Sequence, residues 1–173
     1  MISGKIVYLI TFLIIYYILI ETTSVLAQEN PNYVAKLDGS QVSPKVNNTN
    51  ATGIANFIFN KGSPNDPLDD QLMYNVSVSG IKDVTLIELH SGAEGFNGTT
   101  VIELPKKYDY EKTGILSTGN LTINDPFKDE IGGKAEYALE VLHNYMNSNE
   151  IYIDIHTKKY PEGEIRGQIH PES

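Results

Sequence analysis

Hydrophobic and polar positions alternate strictly near the C-terminal end of the chain. Isoleucines fall on one side of the run 151–156, and polar or aromatic residues fall on the other. Period-two alternation of β-branched residues is typical of a half-buried β-strand. A turn follows at 158–163, where Pro161 presets φ and Gly163 can adopt a positive φ. Because the alternation then resumes, we predict an antiparallel hairpin over 151–170 with one apolar and one polar face.

The same pattern predicts further short strands upstream, each bounded by turn-forming residues. These predicted strands cover residues 33–37, 52–60, 71–79, 84–90, 99–104 and 113–123. One segment breaks the pattern, because the apolar residues of 134–147 recur at i, i+3, i+4 and i+7, the spacing of an amphipathic helix. His143 lies off the apolar stripe of that helix and is expected to be solvated. The order of elements predicts a mainly β domain, an antiparallel Greek-key sandwich or barrel with one helix in its C-terminal half.

The N-terminal segment shows neither the two-residue period of a strand nor the 3.6-residue period of an amphipathic helix. A continuous apolar run over 6–20 is followed by Val25 and Ala27 at the −3 and −1 positions of a small-residue cleavage site. A helix of that run would span about 22 Å, which is short of the ~30 Å hydrocarbon core of a bilayer. We therefore expect a cleaved signal peptide and a domain outside the cytoplasm, with an uncleaved membrane anchor as the alternative. The predicted divisions are a signal segment over 1–27, a linker over 28–32 and one domain over 33–170.

Composition and charge narrow the classes of function. The chain has 173 residues, of which 40% are hydrophobic, so one domain with a substantial core is expected. A net charge of −9 disfavours nucleic acid and anionic lipid as partners, and membrane contact is expected only through 6–20. The chain contains no cysteine, which excludes disulfides, zinc–thiolate sites and cysteine nucleophiles.

Five Asn-x-Ser/Thr sequons accord with an exported protein. Asn75 lies within a predicted strand and is the least suitable acceptor. The glycosylation candidates are Asn47, Asn50, Asn97 and Asn120.

Two pairs of polar residues could form a metal site. Glu88 and His90 share one face of a predicted strand, and Asp154 and His156 share one face of another. If the two strands are neighbours, two imidazoles and two carboxylates converge, a set that suits Zn²⁺, Cu²⁺ or Mn²⁺. A single ion with ~2 Å bonds requires the two imidazole rings to lie within about 8 Å of each other. The alternative is a structural hydrogen-bond network without metal.

The remaining polar motifs favour structural roles. Glu164 and Arg166 share a strand face, where an arginine can fix strand register through carboxylate or carbonyl bonds; anion binding is the alternative. The glycine-rich loop 92–98 is not a phosphate-binding loop, because no Lys-Ser/Thr pair follows it and a strand comes next. Turn geometry explains its glycines. No Gly-x-Ser-x-Gly or His-Glu-x-x-His motif is present, so no catalytic residue is predicted.

Three segments resemble the CHRD domain, the module named for its repeats in chordin. Residues 33–44 resemble the opening of that domain, and the loop 92–98 is similar to its middle motif. Residues 151–157 and 161–168 resemble its closing motif almost residue for residue. The resemblance covers about 33–170 and implies a β-sandwich-like domain of secreted or envelope proteins. The motif residues expected to be structural are Gly92, Gly95, Gly98, Pro161, Gly163, Glu164, Arg166 and Gly167.

One position departs from the family. The middle motif usually carries two histidines two residues apart before the glycine loop, and here His90 matches the second while Glu88 stands at the first. A metal site implied by the family would therefore lose one imidazole, although a carboxylate can also serve as a ligand.

The expected function is that of an exported, non-catalytic CHRD module that binds or supports other molecules at the cell surface. Its expected partner is an extracellular protein or a component of the cell envelope. No resident cofactor is expected apart from a zinc or copper ion. The alternative class is a metal-binding domain or metalloenzyme centred on His90 and His156, and an adhesive or matrix role is a third reading.

Overall fold

The computed structural model describes residues 32–63, 66–106, 113–127 and 138–172. The predicted signal segment 1–27, most of the linker and the first four residues of the predicted helix lie outside this part of the chain. None of the helices in the described ranges is long and apolar enough to cross a membrane.

The described residues form nine strands, one α-helix and two short 3-10 helices. In chain order these are β1 (Asn32–Asp38), a 3-10 helix (Gly39–Gln41), β2 (Thr52–Asn60), a 3-10 helix (Pro67–Asp69), β3 (Gln71–Ser79), β4 (Val84–Ser91), β5 (Thr99–Glu103), β6 (Thr113–Leu121), α1 (Ala138–Asn147), β7 (Ile151–Thr157), β8 (Ile165–Gln168) and β9 (His170–Pro171). The strands predicted at 52–60 and 71–79 coincide with β2 and β3, and the other predicted upstream strands agree within two residues at each end.

All nine strands belong to one curled antiparallel sheet. Its order is β5-β4-β7-β8-β1-β2-β3-β6, with β9 paired to β1. The predicted class, a mainly β antiparallel domain with one helix in its C-terminal half, is confirmed. The C-terminal hairpin β7–β8 lies in the middle of the sheet, where it joins β4 on one side to β1 on the other.

The core lies on one face of this sheet, and β2 shows why. Ala55, Phe57 and Phe59 alternate with polar or exposed residues and are buried, while Ile58 on the opposite face is 37% exposed. Helix α1 adds its own apolar stripe to the same core through Ala138, Leu139, Leu142 and Met146. Period-two and period-3.6 patterns thus converge on one cluster of buried side chains.

His143 on α1 is placed differently from the expectation. Its ring stacks on Phe59 with 4.0 Å between ring centroids and an interplanar angle of 1°. Burial lowers the pKa of His143. The prediction of a solvated histidine is therefore wrong, because the ring covers part of the aromatic core.

The predicted half-burial of the C-terminal hairpin is also wrong. Every residue of β7 and β8 is buried, including the polar ones. The cover comes from the 92–98 loop, whose carbonyl groups accept hydrogen bonds from Arg166 and Gln168. Burial of Arg166 and Gln168 is tolerated because both side chains find hydrogen-bond partners in the covering loop.

Candidate metal centre

Strands β4 and β7 bring Glu88, His90 and His156 together. One ligand atom from each residue lies within 4.8 Å of the other two. The Oε2 atom of Glu88 is 3.2 Å from Nε2 of His156 and 3.6 Å from Nε2 of His90. The two imidazole centroids are 6.4 Å apart, inside the limit of about 8 Å that a shared ion imposes. Three of the four predicted ligands therefore converge on one point.

Backbone carbonyl groups orient both imidazole rings through their Nδ1 atoms. Nδ1 of His156 lies 2.8 Å from the carbonyl oxygen of Pro161, and Nδ1 of His90 lies 3.4 Å from that of Gly98. A carbonyl oxygen only accepts hydrogen bonds, so each Nδ1 carries a proton and the Nε2 atom of each ring faces Glu88. A metal-ligating histidine is commonly oriented by this kind of Nδ1–H bond to a carbonyl.

The three converging atoms leave an electrostatic problem. When both rings are neutral, both Nε2 atoms are acceptors, as is the Glu88 carboxylate, so the three atoms repel unless a proton or cation lies between them. Both Nε2 atoms are buried, and neither has a hydrogen-bond partner among the described residues. Burial lowers the pKa of His90, which disfavours the proton. A metal ion would satisfy all three atoms at once.

Asp154, the fourth predicted ligand, lies beside this group and not within it. It is paired with Glu88 in the β4–β7 ladder and with Arg166 in the β7–β8 ladder. Its Oδ1 atom is buried without a hydrogen-bond partner in the described structure, and burial raises its pKa to about 6. Gly163, at φ +117°, closes over it, since a Cβ there would lie 2.6 Å from Oδ1 of Asp154.

Tyr152 also belongs to the site, although it is not among the site residues predicted from the sequence. Its ring stacks on His90 with 4.8 Å between centroids and 2° between planes. On the side of β8, the Cζ atom of Arg166 lies 3.4 Å from the tyrosine centroid. The signal was available, because Tyr152 shares its strand face with Asp154 and His156. Its contact restrains the plane of the His90 ring.

The comparison with protein-family models matches the CHRD domain over residues 33–169. This chain belongs to the CHRD domain family. The match confirms the resemblance carried by the three motifs, and it includes every residue of the candidate metal centre. No curated protein and no solved structure matches the chain.

The side chains of Glu164 and Arg166 in this CHRD domain both form hydrogen bonds to other parts of the domain. Arg166 donates to the carbonyl oxygens of Ala93 and Phe96, at 3.3 and 2.9 Å, and to Oδ1 of Asn97 at 3.3 Å. Two threonine hydroxyls donate to the Glu164 carboxylate at 2.6 and 2.7 Å, from Thr49 and Thr157. Arg166 therefore fixes a loop, while Glu164 ties the hairpin to the segment that follows β1.

Close approach accounts for the glycines at the two ends of the CHRD motifs. A Cβ at Gly98 would collide with the carbonyl oxygen of Ser91, where the 92–98 loop returns to β5. A Cβ at Gly167 would lie 2.7 Å from the carbonyl oxygen of Lys36, where β8 packs against β1. The other two glycines of the loop, Gly92 and Gly95, lie between the end of β4 and Gly98.

The four glycosylation candidates differ in what their amide nitrogens contact. Nδ2 of Asn97 donates to the carbonyl oxygen of Ser43 at 2.9 Å, and Nδ2 of Asn120 donates to Gln71 at 2.9 Å. Asn47 and Asn50 are exposed in the polar segment before β2. A glycan on Asn97 would replace one of the two Nδ2 hydrogens next to the bond that joins the 92–98 loop to Ser43.

Proposed function

We propose that this CHRD domain is an exported binding module that holds one divalent transition-metal ion between β4 and β7. Its ligands are Glu88, His90 and His156. The observation that carries the proposal is the meeting of three acceptor atoms within 4.8 Å, two of them buried nitrogens without a hydrogen-bond partner in the described ranges. A purely hydrogen-bonded network would place a proton between Nε2 of His156 and Oε2 of Glu88, which are 3.2 Å apart, and would leave Nε2 of His90 without a partner.

Two of the three separations between ligand atoms match a tetrahedral ion. Ligands with bonds of about 2.0–2.1 Å lie roughly 3.3–3.4 Å from one another in a tetrahedron. The observed separations of Glu88 Oε2 from the two Nε2 atoms, 3.2 and 3.6 Å, bracket that value. The two imidazole nitrogens, which lie within 4.8 Å of each other, would have to move closer together around the ion. Two imidazoles and one carboxylate without thiolate suit Zn²⁺ or Cu²⁺. A water molecule would occupy the fourth position, since Asp154 lies outside the group of converging ligand atoms.

The burial of the site favours holding a metal over catalysis. The side chains of His156, His90 and Glu88 are only 11–15% exposed, which leaves little surface for a substrate to reach the ion. The export signal predicted over 1–27 supports a location at the cell surface, where an extracellular protein or an envelope component would be the partner. In this proposal the metal stabilises the module and does not drive a reaction.

Metal titration of the EDTA-treated domain tests the proposal. Isothermal titration calorimetry with Zn²⁺ and Cu²⁺ is expected to show one ion per chain. The double variant His90→Ala/His156→Ala is expected to lose this binding, and Glu88→Gln to weaken it about 10-fold or more. His170→Ala is the matched control, since His170 is exposed on β9 and bonds Asn149. Absence of binding, or equal binding by the double variant, would overturn the proposal.

A further inference from the structure

One cavity of the domain is lined by residues from all three segments that resemble the CHRD family. It has a volume of about 420 Å³ and lies where the segment after β1, the 92–98 loop and β8 come together. Its walls carry three charged side chains, Lys45, Glu94 and Arg166, together with serine and glutamine side chains. A cavity of this size accommodates a small organic molecule.

Arg166 lies in the wall of this cavity, and its hydrogen bonds are incomplete. The residue is 2% exposed, and its two Nη atoms donate to the carbonyl oxygens of Ala93 and Phe96 and to the amide oxygen of Asn97. Nε has no hydrogen-bond partner in the described ranges, and no carboxylate there forms an ion pair with the guanidinium. A buried charge whose partners are all neutral is suited to a carboxylate supplied by a ligand.

Two further charges of opposite sign line the cavity. Lys45 and Glu94 are exposed, and neither forms an ion pair within the described part of the chain. Burial lowers the pKa of Arg166, and the attraction of Glu94 offsets part of that effect. A simple anion next to Arg166 would therefore meet the negative charge of Glu94. A ligand that carries an ammonium group as well as a carboxylate is attracted by all three side chains.

We propose that this cavity binds a free α-amino acid. Arg166 and Lys45 attract the carboxylate of the ligand, and Glu94 attracts its α-ammonium group. The serine hydroxyls and glutamine amides of the walls offer neutral hydrogen-bonding groups to the rest of the ligand. Binding of the amino acid does not require the proposed metal ion, because the three proposed metal ligands do not line this cavity.

Titration followed by ¹H–¹⁵N NMR tests the binding and locates it. The domain is kept in EDTA, so that an amino acid cannot act by chelating a metal ion. L-alanine and L-glutamine are expected to give saturable shifts of the backbone amides of Gln41, Gly95 and Gln168, which line the cavity. Acetate lacks the ammonium group and ethylamine lacks the carboxylate. Both are expected to bind about 10-fold more weakly or less than that, because each loses a hydrogen-bonded charge.

Two variants remove one charge each from the rim of the cavity. Lys45→Gln and Glu94→Gln change exposed side chains, so the fold is expected to persist, and each should weaken amino-acid binding about threefold. Lys82→Gln is the matched control for Lys45→Gln, because it changes the net charge equally at an exposed lysine outside the cavity. It should bind the amino acids as the parent does.

Three outcomes would overturn the inference. They are the absence of saturable shifts, shifts centred on residues outside the cavity, and unchanged affinity in both rim variants. Equal affinity for acetate would also overturn it, because the cavity would then be a simple anion site. The proposed metal site stands or falls separately, since Zn²⁺ and Cu²⁺ titration tests it.

Discussion

Asp154 is a carboxylate whose surroundings favour the neutral form. It is buried, Oδ1 lacks a hydrogen-bond partner in the described structure, and Gly163 closes over the group. Burial raises its pKa from 3.8 to about 6, and the attraction of His156 and Arg166 offsets only part of that effect. In the metal-free protein, ionisation of Asp154 therefore works against folding.

We predict that the Asp154→Asn variant of the metal-free protein is more stable than the parent at pH 7. A raised pKa means that the folded state binds the proton more tightly than the unfolded state, so the parent loses stability as pH rises through the window from about 4 to about 6. The loss is on the order of 3 kcal/mol. The asparagine should remove that pH dependence and gain roughly 1–3 kcal/mol at pH 7.

Urea unfolding of both proteins in EDTA at a series of pH values measures this effect. A variant that is less stable than the parent at pH 7 would show the opposite case, in which the charged carboxylate is needed to balance the buried guanidinium of Arg166.

At the scale of elements, the alternation of apolar and polar residues predicted where the strands begin and end, but it did not predict which strand faces are buried. β2 and β3 coincide with their predicted bounds, because strict alternation between turn residues marks both ends of a strand. The same pattern gave the β7 faces correctly but not their burial. Period-two alternation says which residues share a face. It does not place the segments that cover that face, which are the 92–98 loop over Arg166 and Gln168 and the turn before β8 beside Asp154 and His156.

The candidate site was likewise predictable in part, since the sequence indicated which residues share a strand face but not the distances between them. Spacing of i, i+2 placed Glu88 with His90 and Asp154 with His156, and antiparallel pairing of β4 with β7 then brings three of the four together. The fourth is separated because strand register sets Asp154 between Glu88 and Arg166. Alternation placed Tyr152 on the same face as Asp154 and His156, but its stacking on His90 depends on the register of β7 against β4, which no single segment encodes.

Neighbouring positions on β2 give a direct test of the face assignment. Phe57 is almost fully buried, so Phe57→Ala should cost about 3–5 kcal/mol in the free energy of unfolding. Ile58 lies on the outer face, and Ile58→Thr, which keeps β-branching, should cost about 1 kcal/mol or less. Urea unfolding monitored by circular dichroism measures both. Similar losses for the two variants would mean that the outer face of the sheet is covered in solution.

At the scale of the whole molecule, the C-terminal hairpin connects two parts of the sheet. Among the described strands, β4 and β5 join the others only through β7, and β7 reaches β1 only through β8. The hairpin also carries His156 of the metal centre and the Arg166 and Gln168 anchors of the 92–98 loop. Core, site and loop therefore depend on residues at one end of the chain.

Removal of residues 151–173 is therefore expected to abolish cooperative folding. The hairpin contributes four fully buried isoleucines, Ile151, Ile153, Ile155 and Ile165. Burial of such side chains contributes roughly 1.5–3 kcal/mol each, so their loss is comparable to the total stability of about 5–15 kcal/mol of an ordinary domain. Removal of 172–173 is the control, since the bond it deletes among the described residues is the backbone hydrogen bond that Glu172 donates to Asn32. Urea unfolding followed by circular dichroism should show a sigmoidal transition for the control and none for the larger deletion. A sigmoidal transition in the larger deletion would mean that the upstream strands form a core of their own.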